Sequence, residues 1–456
     1  MSDALGDLAP RCGVPGATVG VIRDGQVHCA AAGVLNLDTQ APVRPESLFQ
    51  IGSITKVFTA ILALQQVGLA RLTLDDPVRR VLPGFHLADN AAAASITLRQ
   101  LLTHTSGMDG DLFVECPAGP DRLARYVELL ETTRQLHAPG ERFSYCNAGF
   151  VLAGRMIEAV GGRSWQAALQ ADVLGPLGIE GEAGEGSLAR VPSRASGHEP
   201  DPARSRALKV QESVYALPQT CAPAGTTLTM SVGDLLKLAQ ALMGRGRLAA
   251  DRRLLPEELT AEMLRRQMAL PGYAYSFATH VGLGPLIYDW DGEQLWGHDG
   301  DTLGFQAFLR VHPASGTAMA LLTNGGGAVD LAFAAFAAVF PELAGIRPPP
   351  FPPARPDLSV NPNAYVGSYD RLTRAILVER EGAGLSMRLA ESEEELPNAP
   401  TMAMAPVESN VFRFQRSNQQ TPSYVRFDDF DEGGKAGTLF SGYRLCTRTE
   451  DGALKT

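Results

Sequence analysis

The stretch "GIRPPPFPPARPDLSVNP", Gly345–Pro362, carries seven prolines in eighteen residues. Proline fixes φ and removes a backbone donor, so this segment can be neither helix interior nor central strand. It reads as a stiff, extended connector over 346–362, and it divides the chain of 456 residues into two unequal parts. After it, "RAILVER", "VFRFQR", "SYVRFDDF" and "TLFSGYRL" are short, alternating and rich in aromatic residues, with Gly, Asn and Pro turns between them. That texture predicts a small all-β unit, a sandwich or barrel, over 363–456.

The part before the connector, 1–345, is mixed. "VPGATVGVIRDGQVHCAAAG" predicts two strands about an Asp24-Gly25 turn. Helix-period stretches follow: "TKVFTAILALQQVGLA", "DRLARYVELLETTRQL", "AGFVLAGRMIEAVG" and "SVGDLLKLAQALMG". Strand-like "LGPLIYDW", "FQAFLRVHP" and "GTAMALLTN" then precede a helix from Asp330. Strands at both ends with helices between predict one sheet assembled from distant halves. "RASGHEPDPARSRALKV" reads as a surface excursion.

The charge balance narrows the function. Forty basic residues against fifty acidic ones leave a net charge of -10, and no basic run stands out. Nucleic acid and anionic membranes are poor partners for such a chain. The apolar run "LAFAAFAAVF" from Leu331 is too short to cross a bilayer. The first thirty residues show no secretory pattern, and the six cysteines are scattered without a CxxC pair. They are expected as buried thiols rather than a disulfide framework. The expectation is a cytoplasmic enzyme or binding protein.

Two local patterns can carry chemistry. In "SITK", Ser53 and Lys56 share a helix face at i and i+3, at the start of the most apolar helix. Backbone N–H groups at a helix start favour a developing oxyanion. Burial lowers an amine's pKa toward that of a useful base. The bland alternative is an N-cap serine beside a snorkelling lysine. Lysine is scarce here, at five residues, and Lys56 alone has a serine three positions before it. In "SYCNAG", Tyr145 and Asn147 offer a phenol for proton exchange and an amide to hold the lysine and a substrate carbonyl. Its bland alternative is a half-buried tyrosine and a helix cap.

These two motifs, in this order, resemble those of the serine beta-lactamase and penicillin-binding-protein superfamily. "LLTHTSG" and "PAGTTLTMSVGDLLKLAQ" are similar to its class C-like, carboxylesterase and D-aminopeptidase branch. The resemblance covers roughly residues 10–345 and implies an α/β (α+β) fold: a five-stranded antiparallel sheet flanked by helices, plus a helical region. "YVGSYDR" and the β texture after it resemble the lipocalin-like domain attached to some members. The family carries a third motif, Lys-x-Gly or His-x-Gly, and His280, His298 and Lys435 each fit. "WGHDGDTLGF" looks like the family's turn into its inner strand, so His298 is taken.

The resemblance implies that Ser53 is the acylated nucleophile, with Lys56 and Tyr145 as proton carriers. Asn147, His298, Asp299, Gly300 and Asp301 would line the substrate site. N–H groups of Ser53 and Asp301 would hold the oxyanion, without metal or organic cofactor. Where the family grips a carboxylate with lysine and a hydroxyl, this chain reads His-Asp-Gly-Asp. That departure predicts weak beta-lactamase activity at most, and favours neutral esters, amides or (D-)peptides with a free ammonium held by Asp299. Two branches fit: D-aminopeptidases, and the penicillin-binding-protein-type thioesterases that release and cyclise a carrier-bound, thioester-linked nonribosomal peptide. A non-catalytic binder that acylates without turnover is the third reading. Adjacent strand residues point to opposite faces, so the ammonium reading requires Asp299 to face the cleft.

Overall fold

The computed structural model describes residues 1–181, 191, 193–200, 208–211, 213–248, 252–272, 277–416 and 419–449. Helix α1 (Ser2–Arg11) precedes the predicted hairpin of β1 (Gly16–Arg23) and β2 (Gln26–Gly33). The helical region contains α2 (Thr55–Gly68), α3 (Asn147–Gly161) and α4 (Val232–Met243). The chain then returns to the sheet through β3 (Met268–Ala269), β4 (Ala278–Val281), β5 (Leu286–Trp290), β6 (Glu293–Thr302), β7 (Phe305–His312) and β8 (Thr317–Thr323), and ends this part in α5 (Ala328–Ala344).

The sheet has eight strands rather than five, in the order β2-β1-β8-β7-β6-β5-β4-β3. Its distant halves join where β1 pairs antiparallel with β8, Ala17 opposite Thr323. Helices α1 and α5 cover one face and α4 the other. Every residue of α2 from Thr55 to Leu64 is buried. A helix apolar on all sides belongs in a core, and α2 packs against α3 and the 3-10 turn over Gln219–Ala224. The stretch "DRLARYVELLETTRQL" gives a shorter helix than its pattern predicts, Arg122–Leu129, tightening into a 3-10 turn over Leu130–Thr132. In the excursion, His198–Pro200 pairs with Leu208–Val210, and 201–207 lie outside the described residues. All six cysteines are free.

Residues 346–361 contain no helix or strand. They run along the second unit, where Tyr424 donates to the Pro352 carbonyl at 3.0 Å. That unit is a closed antiparallel barrel of β9 (Gly367–Arg371), β10 (Arg374–Glu381), β11 (Gly384–Ala390), β12 (Met402–Glu408), β13 (Val411–Phe414), β14 (Ser423–Phe430), β15 (Ala436–Ser441) and β16 (Arg444–Arg448). Closure removes sheet edges. Each strand pairs with its sequence neighbour, so the β9–β10, β11–β12, β13–β14 and β15–β16 connections all lie at one end. Three of the four touch the first unit. Leu372 N–H donates to Asp109 at 2.9 Å, Thr421 N–H to Asp330 at 2.7 Å, and Tyr145 N–H to the Tyr443 carbonyl at 2.8 Å.

Candidate active site

Ser53 sits in a 3-10 turn, Gly52–Ile54, that runs directly into α2. Three glycines let three backbones meet there. A Cβ on Gly52 would lie 2.6 Å from the Asp301 nitrogen, and one on Gly300 would lie 1.9 Å from the Ile51 carbonyl oxygen. One on Gly225 would lie 2.3 Å from the Gly52 carbonyl oxygen and 2.9 Å from the Ser53 Cα. Gly52 also adopts φ of +53°, which L side chains rarely take. The result brings the Asp301 backbone nitrogen beside the serine turn. With the Ser53 N–H it can form a two-donor oxyanion hole.

One turn along α2, Lys56 Nζ donates to Ser53 Oγ at 2.9 Å. Its second acceptor is the Ala224 carbonyl. The sequence reading assigned that holding role to Asn147, but no hydrogen bond joins Asn147 to Lys56 among the described residues. The ammonium lies 4.8 Å from the Tyr145 ring centre. Lys56 is fully buried. Burial first, and then the charge of Arg444, hold its amine well below its ordinary pKa. A neutral amine against a serine hydroxyl is a general base in contact with its nucleophile.

Tyr145 lies just before α3, with its main chain fixed by Tyr443 of the barrel. Burial pushes its phenol up, opposed by a hydrogen bond with Ser53 and by the charge of Arg444. The His104 ring stacks on it at 4.0 Å, and His104 Nδ1 accepts from Cys146 N–H at 3.0 Å. On the other side stands His298, 6.1 Å away between ring centres. His298 Nδ1 donates to the Asp299 carbonyl at 2.6 Å, and its Nε2 has no partner among the described residues. Burial and the charge of Lys56 hold its pKa down at about 4. The ring is neutral near pH 7, with Nε2 bare as an acceptor.

Asn147 is buried and donates to Asp111 Oδ1 at 2.7 Å. The same carboxylate receives Arg444 at 2.6 Å and also Arg371, both from the barrel. Desolvation opposes this carboxylate, but the two guanidiniums and the Asn147 amide outweigh it and lower its pKa. The Arg444 guanidinium also lies 4.8 Å over the Tyr145 ring. The site is therefore built from both units. Asp111, Arg371 and Arg444 carry no signal in the sequence that marks them as site residues. Asp111 lies in "MDGDLFVECPAGPD", a loop of unassignable position in sequence.

Strand β6 presents its residues alternately. Asp299 turns to a buried arginine, with Arg310 at 2.6 Å from Oδ1 and 3.2 Å from Oδ2. Arg310 in turn lies 4.0 Å over the Tyr288 ring. The Asp299 carboxylate is thus committed within the protein, which removes it as the substrate ammonium anchor. Asp301 remains solvent-accessible though walled by protein, and desolvation pushes its carboxyl up to about 6 against the hydrogen bond of Gln306 and the charges of Arg416 and Arg444. Gly300 fills the crossing with Ile51. His280 sits away from the cleft on β4, bonded to Thr279, and Lys435 lies in the barrel's β14–β15 turn. Among the described residues no His, Cys, Asp and Glu cluster could hold a metal, and no helix is long and apolar enough to cross a membrane.

A fold of one antiparallel sheet and a helical region, with a serine-lysine-tyrosine cluster at their junction, defines an acyl-serine hydrolase class. The Beta-lactamase family model matches residues 3–341, and the chain belongs to that family. Penicillin-binding protein 4 of Amycolatopsis lactamdurans is 38% identical over 368 residues, covering 78% of this chain and 93% of that protein. The solved structure of SurE with D-Leu superposes with a TM-score of 0.74 at 28% identity, over 98% of this chain and 99% of that one. The octameric penicillin-binding protein homologue from Pyrococcus abyssi, at 24% identity and a TM-score of 0.66, shares the two-unit fold over 98% of both chains.

Proposed function

We propose that the protein is an acyl-transferring serine enzyme for activated carboxyl derivatives of peptides ending in a D-residue. The observation that carries this is the 2.9 Å contact between Lys56 Nζ and Ser53 Oγ, with the amine buried and driven toward its neutral form. Lys56 takes the serine proton, and Ser53 Oγ attacks the ester, thioester or amide carbonyl. N–H groups of Ser53 and Asp301 stabilise the oxyanion. Lys56 and Tyr145 return the proton to the leaving atom. Water or an amine then attacks the acyl-enzyme and frees Ser53. Asn147 and His298 Nε2 border the path of the acyl group. The preference for a D-residue is supported by the likeness to SurE, solved with D-Leu, over both units.

The test is intact-protein mass spectrometry of wild type and Ser53→Ala. Each is incubated with short peptide thioesters ending in a D- or L-residue, the N-terminus free or acetylated. An adduct on wild type alone, faster for the D-series, is the expected result. Cyclic product from the free-amine donor identifies a macrocyclising thioesterase, and linear acid from both donors a hydrolase. An adduct that forms once and persists identifies an acylatable binder. No adduct from these or from p-nitrophenyl esters overturns the catalytic reading.

A further inference from the structure

Four arginines converge at the barrel end that faces the catalytic cleft. Arg371 ends β9 and Arg374, its cross-strand partner, begins β10. Arg444 begins β16 across the turn from Ser441. Arg416 follows β13 in the next connection, on the same crevice as Ser441 and Gly442. Arg371 and Arg444 share the single carboxylate of Asp111. The guanidinium groups of Arg374 and Arg416 make no hydrogen bond or ion pair among the described residues. Burial disfavours the Arg374 cation, the charges of Arg371, Arg416 and Arg444 add to that, and Glu391 opposes them. Arg416 and Arg444 both act on Asp301, beside the oxyanion donors.

Like charges held together in part-buried surroundings oppose folding, and an incoming anion relieves them. Guanidinium is the side chain that grips carboxylate or phosphate with paired hydrogen bonds. The cluster also lies on a definite side of the reaction. Arg444 covers the ring of Tyr145, the group that returns a proton to the leaving atom. The third motif of this chain has no free cation of its own: His298 is neutral and Arg310 is held by Asp299. We infer that Arg374 and Arg416 form an anion subsite on the barrel for an oxyanion, phosphate or carboxylate, carried by the leaving group of the acyl donor. This rests on the acyl-transfer reading above and specifies its donor: the barrel selects donors by the charge of the departing part.

The experiment compares donors that share one D-aminoacyl group. Pantetheine and 4′-phosphopantetheine thioesters differ only in a phosphate. Peptide amides ending in carboxamide or carboxylate differ only in that group. The reading is the ratio of kcat/KM for charged over neutral donor. Wild type is expected to give roughly 10- to 100-fold in one of the two pairs, the scale of one or two charge-assisted hydrogen bonds. Arg374→Gln/Arg416→Gln brings that ratio toward one, whereas Arg23→Gln at the β1–β2 turn keeps the wild-type ratio. The pair that shows the effect names the anion as phosphate or carboxylate. Inorganic phosphate with wild type gives a second reading should the double variant fold poorly: it competes with the charged donor alone. Ratios near one in both pairs, or a high ratio that the double variant retains, overturn the subsite. Adduct formation on Ser53 with every donor but no charge preference leaves acyl transfer standing without it, and no adduct from any donor removes both.

Discussion

Arg444 and Asn147 come from different units, yet they hold the same carboxylate, Asp111, at 2.6 Å and 2.7 Å. The barrel is therefore part of the framework that builds the candidate site. Arg444 has two effects there. It fixes Asp111, and its charge is the largest electrostatic influence, after burial, that lowers the pKa of Lys56.

Removing that charge shifts the pH dependence. In the proposed mechanism the base is Lys56 in its neutral form, so kcat/KM rises as pH passes upward through the Lys56 pKa. Arg444→Gln removes a like charge and leaves Asp111 less compensated, and both changes favour the ammonium. The rising limb of the kcat/KM profile for a p-nitrophenyl ester is expected to move to higher pH. An unmoved limb, or one moved to lower pH, contradicts the assigned role.

Among the described residues Asp111 is the only carboxylate paired directly with Arg371 and Arg444, and all three are largely shielded from solvent. Breaking one partner of a buried ionic group leaves uncompensated charge and costs about 3–5 kcal/mol. Asp111→Ala is expected to lose stability on that scale in denaturant unfolding. Arg371→Met/Asp111→Leu/Arg444→Met is expected to regain much of it while staying slow in catalysis. Full activity in the triple variant would show that the network does not position Asn147.

The fate of Asp299 separates two ideas about the third motif. Its carboxylate is bound by Arg310, so Asp299→Asn strands a buried guanidinium. We expect stability to fall by several kcal/mol, with kcat/KM lowered by similar factors for free-amine and N-acetyl donors. Selective loss of the free-amine donor would restore Asp299 as an ammonium anchor.

The sequence made visible what lies close along the chain. Ser53 and Lys56 are one helical turn apart, Tyr145 and Asn147 two residues apart, and His298 sits in a recognisable glycine-flanked motif, which the structure places within strand β6 rather than in a turn. Alternation marked the barrel strands because each has one buried face. The Asp111 contacts to Arg371 and Arg444 span 260 and 333 residues, and no local period encodes them. Arg444 reads as an ordinary strand residue until the β15–β16 turn docks against Tyr145. The commitment of Asp299 was equally hidden, since Arg310 lies on the next strand. Helix α1 escaped notice because it buries only Leu5 and Ala9.

Gly52 offers a test of the oxyanion geometry. A Cβ there would stand 2.6 Å from the Asp301 nitrogen, on a backbone at positive φ. Gly52→Ala must push β6 away from Ser53 or flatten the turn. Losing one oxyanion donor typically costs about 10²- to 10³-fold in kcat. We expect a kcat loss of that size with the KM for neutral esters changed far less. Crystals of the variant should show the Asp301 nitrogen displaced.

His298 links the site to acid stability. Its folded pKa of about 4 lies below the ordinary value of about 6.5. The unfolded chain therefore binds the extra proton between these two values, and stability rises with pH across that window. The contribution is fully present above pH of about 6.5, on the order of 3 kcal/mol, and is lost as pH falls toward about 4. His298→Gln removes the titration and keeps a polar side chain. Unfolding free energy measured from pH 4 to 7 should therefore climb more steeply for wild type than for the variant. The difference between the two curves isolates His298 from the other buried histidines, His104 among them. Parallel curves would mean that the imidazole is already charged, or already solvated, in the folded protein. The neutral acceptor assigned to Nε2 would then be lost.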